Sequence, residues 1–204
     1  MTSMSEAPAA DRPAGLRERK KARTRAAIRE HALRLFREQG YHATTVEQIA
    51  EAAEVSPSTF FRYFPTKEDV VLQDDFDMVA MAVFEAQPAT VSPIAAYRAA
   101  AAQMFASMTP DDFAAFRETT ELTLTIPEVR ARAMDEFART IDVIAAAVAK
   151  RAGRDPDDFA VRNVAGALIG VTMAATMPWA EQPTADLAGR IDAALAHLEA
   201  GLPL

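Results

Sequence analysis

The sequence predicts an all-α protein, and three observations carry that prediction. Half of its 204 residues are apolar and a quarter are charged, only seven are glycine, and no stretch alternates β-branched with polar residues as a strand would. Apolar residues recur at helical spacing instead, as at Ile28, Ala32, Leu35 and Phe36, which fall on one face. Breakers at Pro88, Pro93, Pro110, Pro127, Gly153, Pro156, Pro178 and Pro183 divide residues 67–204 into about six segments of ordinary helix length. At this length the chain holds one large domain or a small domain joined to a larger one.

In chain order, residues 1–14 read as a disordered arm, since Pro8, Pro13 and small polar residues offer no apolar periodicity. A first helix runs from Leu16 to Gly40, where glycine supplies a left-handed cap. Thr44, Thr45 and Glu47 start a short helix to Ala53, with Glu47 reaching back toward Thr44 and with Ile49, Ala50 and Ala53 as its apolar face. After a brief turn at Val55, Ser56 is an N-cap and Pro57 the first residue of a second short helix to about Phe64. Two short helices across a tight turn make a helix-turn-helix. Thr66 with Asp69 then starts a helix carrying Val70, Val71, Phe76, Met78 and Val79. Val164–Ala180 is about the minimum length for a membrane span, but its Ala, Gly and Thr content and Pro178 read as a buried helix, and no membrane partner is expected.

The net charge of −7 hides an asymmetry: residues 1–67 hold 12 Lys and Arg against 8 Asp and Glu, whereas the remainder holds 10 against 21. Arg12–Arg29 alone carries eight basic residues and one acid, Glu18, the footprint of a phosphate-binding element on an acidic body. A merely solvated basic arm accounts for this charge equally well. With no cysteine, disulfides and thiolate chemistry are excluded. His31, His42 and His197 are scattered, no glycine-rich phosphate loop occurs, and no His and carboxylate set has metal spacing, so neither catalysis, a metal nor a cofactor is expected. Residues 1–15 carry no hydrophobic leader, which points to the cytoplasm.

Thr44–Leu72 reads TTVEQIAEAAEVSPSTFFRYFPTKEDVVL, and with Ile28, Ala32, Leu35, Phe36, Gly40 and Tyr41 upstream it closely resembles the tetracycline-repressor (TetR) family. The matching residues are Thr44, Thr45, Ile49, Ala50, Val55, Ser56, Thr59, Phe64, Lys67 and Glu68. Three departures stand out: Phe60 for the family's leucine, Phe61 for its tyrosine with Tyr63 for its histidine, and Glu54 where a turn glycine is common and a positive φ is expected. The resemblance implies a DNA-binding domain over 15–66 and an effector-binding and dimerisation domain over 67–204, hence a homodimeric regulator of double-stranded operator DNA, a repressor by family habit. In a helix-turn-helix the second short helix enters the major groove, which presents Ser56, Pro57, Ser58, Thr59 and Arg62 to the bases. Ser58 and Thr59 can hydrogen-bond base edges or phosphate, Pro57 can touch a thymine methyl, and Arg62 is the candidate for a bidentate guanine contact. Thr45, Tyr63 and Lys67 are expected to grip phosphates, with Lys20, Lys21, Arg23 and Arg25 adding affinity; Phe60 and Phe64 are expected in the core, and Phe61 is left open between core and DNA.

For the body, the family likeness implies a ligand chamber and a dimer interface. Met104, Phe105, Met108, Phe116, Phe137, Ile141, Met173, Met177 and Trp179 suit a small apolar or amphipathic effector, although helical spacing alone also predicts ordinary core for each. Arg117, Glu118 and Glu121 could anchor polar groups of a ligand or simply face solvent. The C-terminal half resembles, more distantly, regulators of the mycofactocin type, whose effectors are acyl-CoA thioesters; that likeness names no ligand here. The last two helices are expected at the dimer interface, through Leu187, Ile191, Leu195 and Leu198 with Gly166 and Gly170 allowing close approach; the same stripe also suits packing within one chain. The rival reading is a helical ligand carrier or adaptor without DNA binding, against which the basic N-terminus and the helix-turn-helix argue.

Overall fold

The structure is a computed structural model that describes residues 15–72, 76–181 and 186–204. The expected arm at 1–14 lies outside the described residues. Among the described residues every regular element is an α-helix: α1 (Leu16–Gln39), α2 (Val46–Ala52), α3 (Pro57–Tyr63), α4 (Lys67–Leu72), α5 (Phe76–Ala86), α6 (Pro93–Ser107), α7 (Pro110–Thr125), α8 (Pro127–Ala152), α9 (Phe159–Glu181) and α10 (Leu187–Glu199). The chain divides after Val70 into two compact units. That division falls a little beyond the expected Thr66, because Lys67, Glu68 and Asp69 all bond back to Tyr41, Thr44 and Thr66.

In the N-terminal unit α1 buries Ile28, Ala32, Leu33 and Phe36, so Leu33 joins the expected stripe while Leu35 is only half-buried. These side chains meet Tyr41, Ile49, Ala50, Phe60, Phe64 and Val70 in the core. Each large one contributes about 1.5–3 kcal/mol by leaving water. Gly40 ends α1 at φ 87° and ψ 155°, outside the expected left-handed helical well and in a region open essentially to glycine alone.

In the C-terminal unit side chains cap the starts of helices, as Asp158 does for α9 by accepting from the Ala160 and Val161 N–H groups. Ser92 accepts from the Ala95 N–H ahead of Pro93, Thr109 and Asp112 form a capping box around Pro110, and Asp186 accepts from the Gly189 N–H. Gly153, left-handed at φ 64°, closes α8. The core gathers Phe84, Ala96, Ala100, Phe105, Ile144, Val148, Leu168, Leu187, Ile191 and Leu195, where α6, α8, α9 and α10 pack together. Arg151 of α8 clamps the turn after α5: its guanidinium donates to the carbonyls of Gln87, Pro88 and Val91 and lies over the Phe84 ring.

Three sequence expectations are corrected in this unit. Pro178 does not end a helix but lies inside α9 near its C-terminal end, where a missing N–H removes one bond from the last turns only. Nor is α9 buried all round. It is long and apolar enough to cross a membrane by length and composition, and it is buried on one face only, through Val161, Ala165, Leu168, Ile169 and Ala175. Leu187, Ile191 and Leu195 are 1%, 3% and 0% exposed against the chain's own α6 and α9, so this stripe offers no surface to a partner; only Leu198 of the set is half-exposed.

Candidate nucleic-acid interface

The turn between α2 and α3 is built by local bonds. Thr45, not Thr44, is the N-cap of α2: its hydroxyl accepts from the Gln48 N–H at 3.3 Å while the Gln48 side chain accepts from the Thr45 N–H at 2.9 Å. Gln48 therefore fills the role expected of Glu47. Thr44 is buried and serves α1 instead, donating to the Gly40 carbonyl at 2.8 Å and accepting from Gln39. Glu54 takes φ 54°, the positive value its position in the turn demands, and costs about 1 kcal/mol relative to a right-handed residue. The Val55 N–H then reaches back to the Ala50 carbonyl at 2.9 Å and closes the turn.

Ser56 caps α3 by accepting from the Thr59 N–H at 3.1 Å. Its hydroxyl also lies 2.9 Å from Ser58 Oγ and 3.0 Å from Thr59 Oγ1, so the three hydroxyls expected to meet DNA bond one another in the free chain. Phe60 and Phe64 are fully buried, while Phe61 is 50% exposed and Pro57 is exposed one turn earlier. Arg62 lies over the Tyr63 ring at 5.4 Å. Together those two residues and Leu16, Arg17, Lys20, Lys21 and Thr24 of α1 line an open groove of about 910 Å³. Four cations against the single acid Glu18 make this groove a seat for a polyanion backbone. Arg17 and Thr24 were missed in the sequence; their i, i+3 and i+4 spacing with Lys20 and Lys21 is the signal that could have found them.

Two expected phosphate contacts have other occupations. The Lys67 ammonium donates to the carbonyls of Tyr41 at 2.9 Å and Thr44 at 3.0 Å and stands 4.0 Å from the Tyr41 ring centroid, tying α4 to the α1–α2 turn. Arg25 is half-buried with its guanidinium over the Phe64 ring at 5.5 Å, which pins α1 to α3. Lys20, Lys21, Arg23 and Thr45 remain exposed. Beside Lys67, burial works to raise the Glu68 carboxyl, but the Tyr41 hydroxyl at 2.5 Å, backbone and Thr66 bonds, and the Lys67 charge prevail and hold its pKa below the usual 4.5.

The side chains expected to line a ligand chamber lie around the core of the C-terminal unit. Met104, Met108, Phe116, Phe137, Ile141 and Met173 are half-buried against it. Phe105 is buried, stacked on Phe113 at 5.9 Å and edge-on to Phe116 at 6.2 Å, so an aromatic cluster that includes the unforeseen Phe113 joins α6 to α7. Met177 is 45% exposed, on the outward edge of α9 with Gly170 and Ala174. The Trp179 side chain lies outside the described residues.

A family model described as the MftR C-terminal domain matches residues 91–203, more than half of the chain, and one described as bacterial regulatory proteins of the tetR family matches residues 28–73. The chain belongs to the tetR family of bacterial regulatory proteins. It is accordingly a DNA-binding transcriptional regulator. Among curated proteins it is 51% identical over 84 residues to the regulator TcmR of Streptomyces glaucescens, covering 40% of this chain and 37% of TcmR. It is 28% identical to MftR of Mycobacterium tuberculosis, named for mycofactocin biosynthesis, over 90% of this chain and 93% of that protein. Among solved structures, the tetR-family repressor FadR of Thermus thermophilus in complex with lauroyl-CoA superposes with a TM-score of 0.58 at 28% identity, covering 88% of this chain and 95% of that one.

Proposed function

We propose that this tetR-family chain is a homodimeric repressor that holds a palindromic operator through α3 and is released by an acyl-CoA thioester bound in its C-terminal unit. The carrying observation is the joint likeness of the C-terminal half to the MftR domain and of most of the chain to FadR, solved with lauroyl-CoA. The aromatic and methionine cluster of Phe105, Phe113, Phe116, Met104 and Met108 supplies adaptable apolar surface of the kind an acyl chain needs. Lys20, Lys21, Arg23, Arg62, Tyr63 and Thr45 contact the DNA backbone, while Pro57, Ser58, Thr59 and Phe61 face the bases. Such a protein acts on DNA in the cytoplasm.

A single helix-turn-helix covers one half-site, so a palindromic operator calls for two copies. The outward edge of α9 through Asn163, Gly170, Ala174 and Met177, with Ala193 and His197 of α10, is the surface that suits the second copy. Val171, Ala174, Ala193 and His197 line a shallow groove there of about 420 Å³, and a Cβ added at Gly170 would meet nothing within 4 Å in the single chain.

The deciding experiment measures binding to a duplex enriched by the full-length chain from a random pool, with and without lauroyl-CoA. A coupling of about 1–3 kcal/mol weakens DNA binding 5- to 150-fold, and by reciprocity the duplex weakens the thioester equally. Equal DNA affinity with and without the thioester would remove the acyl effector from the account.

A further inference from the structure

The geometry points to Phe61 as a specificity-determining residue that reads the 5-methyl group of thymine, with Pro57 one turn earlier on the same edge of α3. This inference rests on the proposed seating of α3 in the major groove. Of the three phenylalanines in and beside this helix, Phe60 and Phe64 are wholly withdrawn into the core, but Phe61 leaves half its surface in water. Its ring stands edge-on to Phe60, with centroids 5.4 Å apart and planes at 87°, so it is held outward by packing rather than left to swing. Pro57, four residues earlier, is exposed too, and residues at that spacing lie about 5–6 Å apart on one helix edge. Ser58 and Arg62 occupy the neighbouring edge, and Arg62 turns to the cationic groove it shares with Lys20 and Lys21.

The surface therefore divides in two. A cationic side takes the phosphate backbone, and beside it an apolar ridge faces what lies between the backbones. A phenyl ring and a pyrrolidine ring have no donor or acceptor, so they cannot bond a phosphate or the polar edges of guanine, cytosine or adenine. The major-groove edges of the four bases present one apolar group, the thymine methyl. A ridge of two rings about one helical turn long spans neighbouring bases on a strand, so one or two adjacent thymines per half-site are the elements it selects.

The test uses the full-length chain and the duplexes it enriches from a random-sequence pool. Each thymine of the bound half-site is replaced singly by deoxyuridine, which keeps the base pair and deletes the methyl. Wild type is expected to lose about four-fold in affinity per methyl removed at one or two positions and to be indifferent elsewhere. Phe61→Ala should bind more weakly and lose the discrimination at the position Phe61 covers, whereas Phe61→Leu, which keeps an apolar side chain, should retain part of it. Circular dichroism and melting verify that both variants fold, and the leucine variant keeps the comparison decisive if the alanine variant does not. Equal affinity of wild type for thymine and deoxyuridine duplexes, or undiminished discrimination by folded Phe61→Ala or Pro57→Ala/Phe61→Ala, would overturn the inference while leaving DNA binding intact. Enrichment of no duplex at all would remove the seating in the groove itself, and with it this inference.

Discussion

Replacing Lys67 by methionine separates a structural role from a DNA-contact role at the same residue. The motif alone assigns Lys67 to a phosphate, yet its ammonium is engaged by the Tyr41 and Thr44 carbonyls at 2.9 and 3.0 Å and by the Tyr41 ring at 4.0 Å. Hydrogen bonds to a charged group are worth about 1.5–3 kcal/mol each, but at this half-buried site water can reach the freed carbonyls, so the low end applies. The Tyr41 carbonyl also keeps the Thr44 N–H at 3.3 Å. Adding about 0.5–1 kcal/mol for the cation over the ring to the two bonds at about 1.5 kcal/mol each, the methionine variant should lose roughly 3.5–4 kcal/mol. In a domain whose whole margin is about 5–15 kcal/mol this is a large fraction. For a chain of this length it lowers Tm by roughly 5–15 °C. Urea unfolding followed by circular dichroism gives the stability, and duplex titrations at several salt concentrations, well below the melting point, give the electrostatic contact. The expected pair of results is a reduced urea midpoint and an unchanged salt slope. An unchanged midpoint with a slope reduced by about 0.9 would refute the structural assignment and restore the phosphate contact.

Lys20→Ala with Lys21→Ala should flatten the salt slope by roughly 0.9 for each phosphate no longer neutralised, whereas Arg25→Ala, whose guanidinium packs on Phe64, should lower the melting temperature and leave the slope nearly unchanged. At Glu54, with φ 54°, glycine should equal or exceed the wild type in stability and valine should fall about 1–2 kcal/mol below glycine, read from urea midpoints at constant m-value. Because the Glu68 pKa is depressed in the folded chain, its contribution is present above about pH 4.5 and lost as pH falls through the lower folded value; Glu68→Gln should therefore flatten the stability profile in that acid range, and an unaltered profile would argue against it. Ala174→Glu with Ala193→Glu should convert dimer to monomer in sedimentation without loss of helix, while Ile191→Ala, at a buried site, should cost about 2–5 kcal/mol of stability.

The helix-turn-helix was legible because its signals are local. Ser56, and Thr66 with Asp69, each act over three residues and make those bonds in the structure, while the capping box expected of Thr44 and Glu47 is made one residue later by Thr45 and Gln48. Phe60 and Phe64 were legible as core because they sit one helical turn apart beside a family pattern that demands it. The intrachain partners of Lys67 and Arg25 were not legible for the opposite reason. They lie 23 or more residues away and are backbone carbonyls or a ring face, which no charge pattern reveals. The leucine stripe of α10 shows the limit of periodicity: it marks which face is buried but not whether the covering surface belongs to the same chain or to another.

The three hydroxyls at the start of α3 bear on how forgiving the reader is. A site rejects a wrong partner strongly when that partner leaves a polar group buried and unmatched. Ser56 already bonds Ser58 at 2.9 Å and Thr59 at 3.0 Å, so against a non-cognate base these hydroxyls can fall back on those two bonds and fewer polar groups are left unmatched. Discrimination at the base pairs beneath them should accordingly be shallow, and the sites this regulator occupies across a genome should vary there more than at neighbouring positions. A polar cluster that is comfortable alone makes a tolerant reader, able to scan unrelated sequence without being arrested by it.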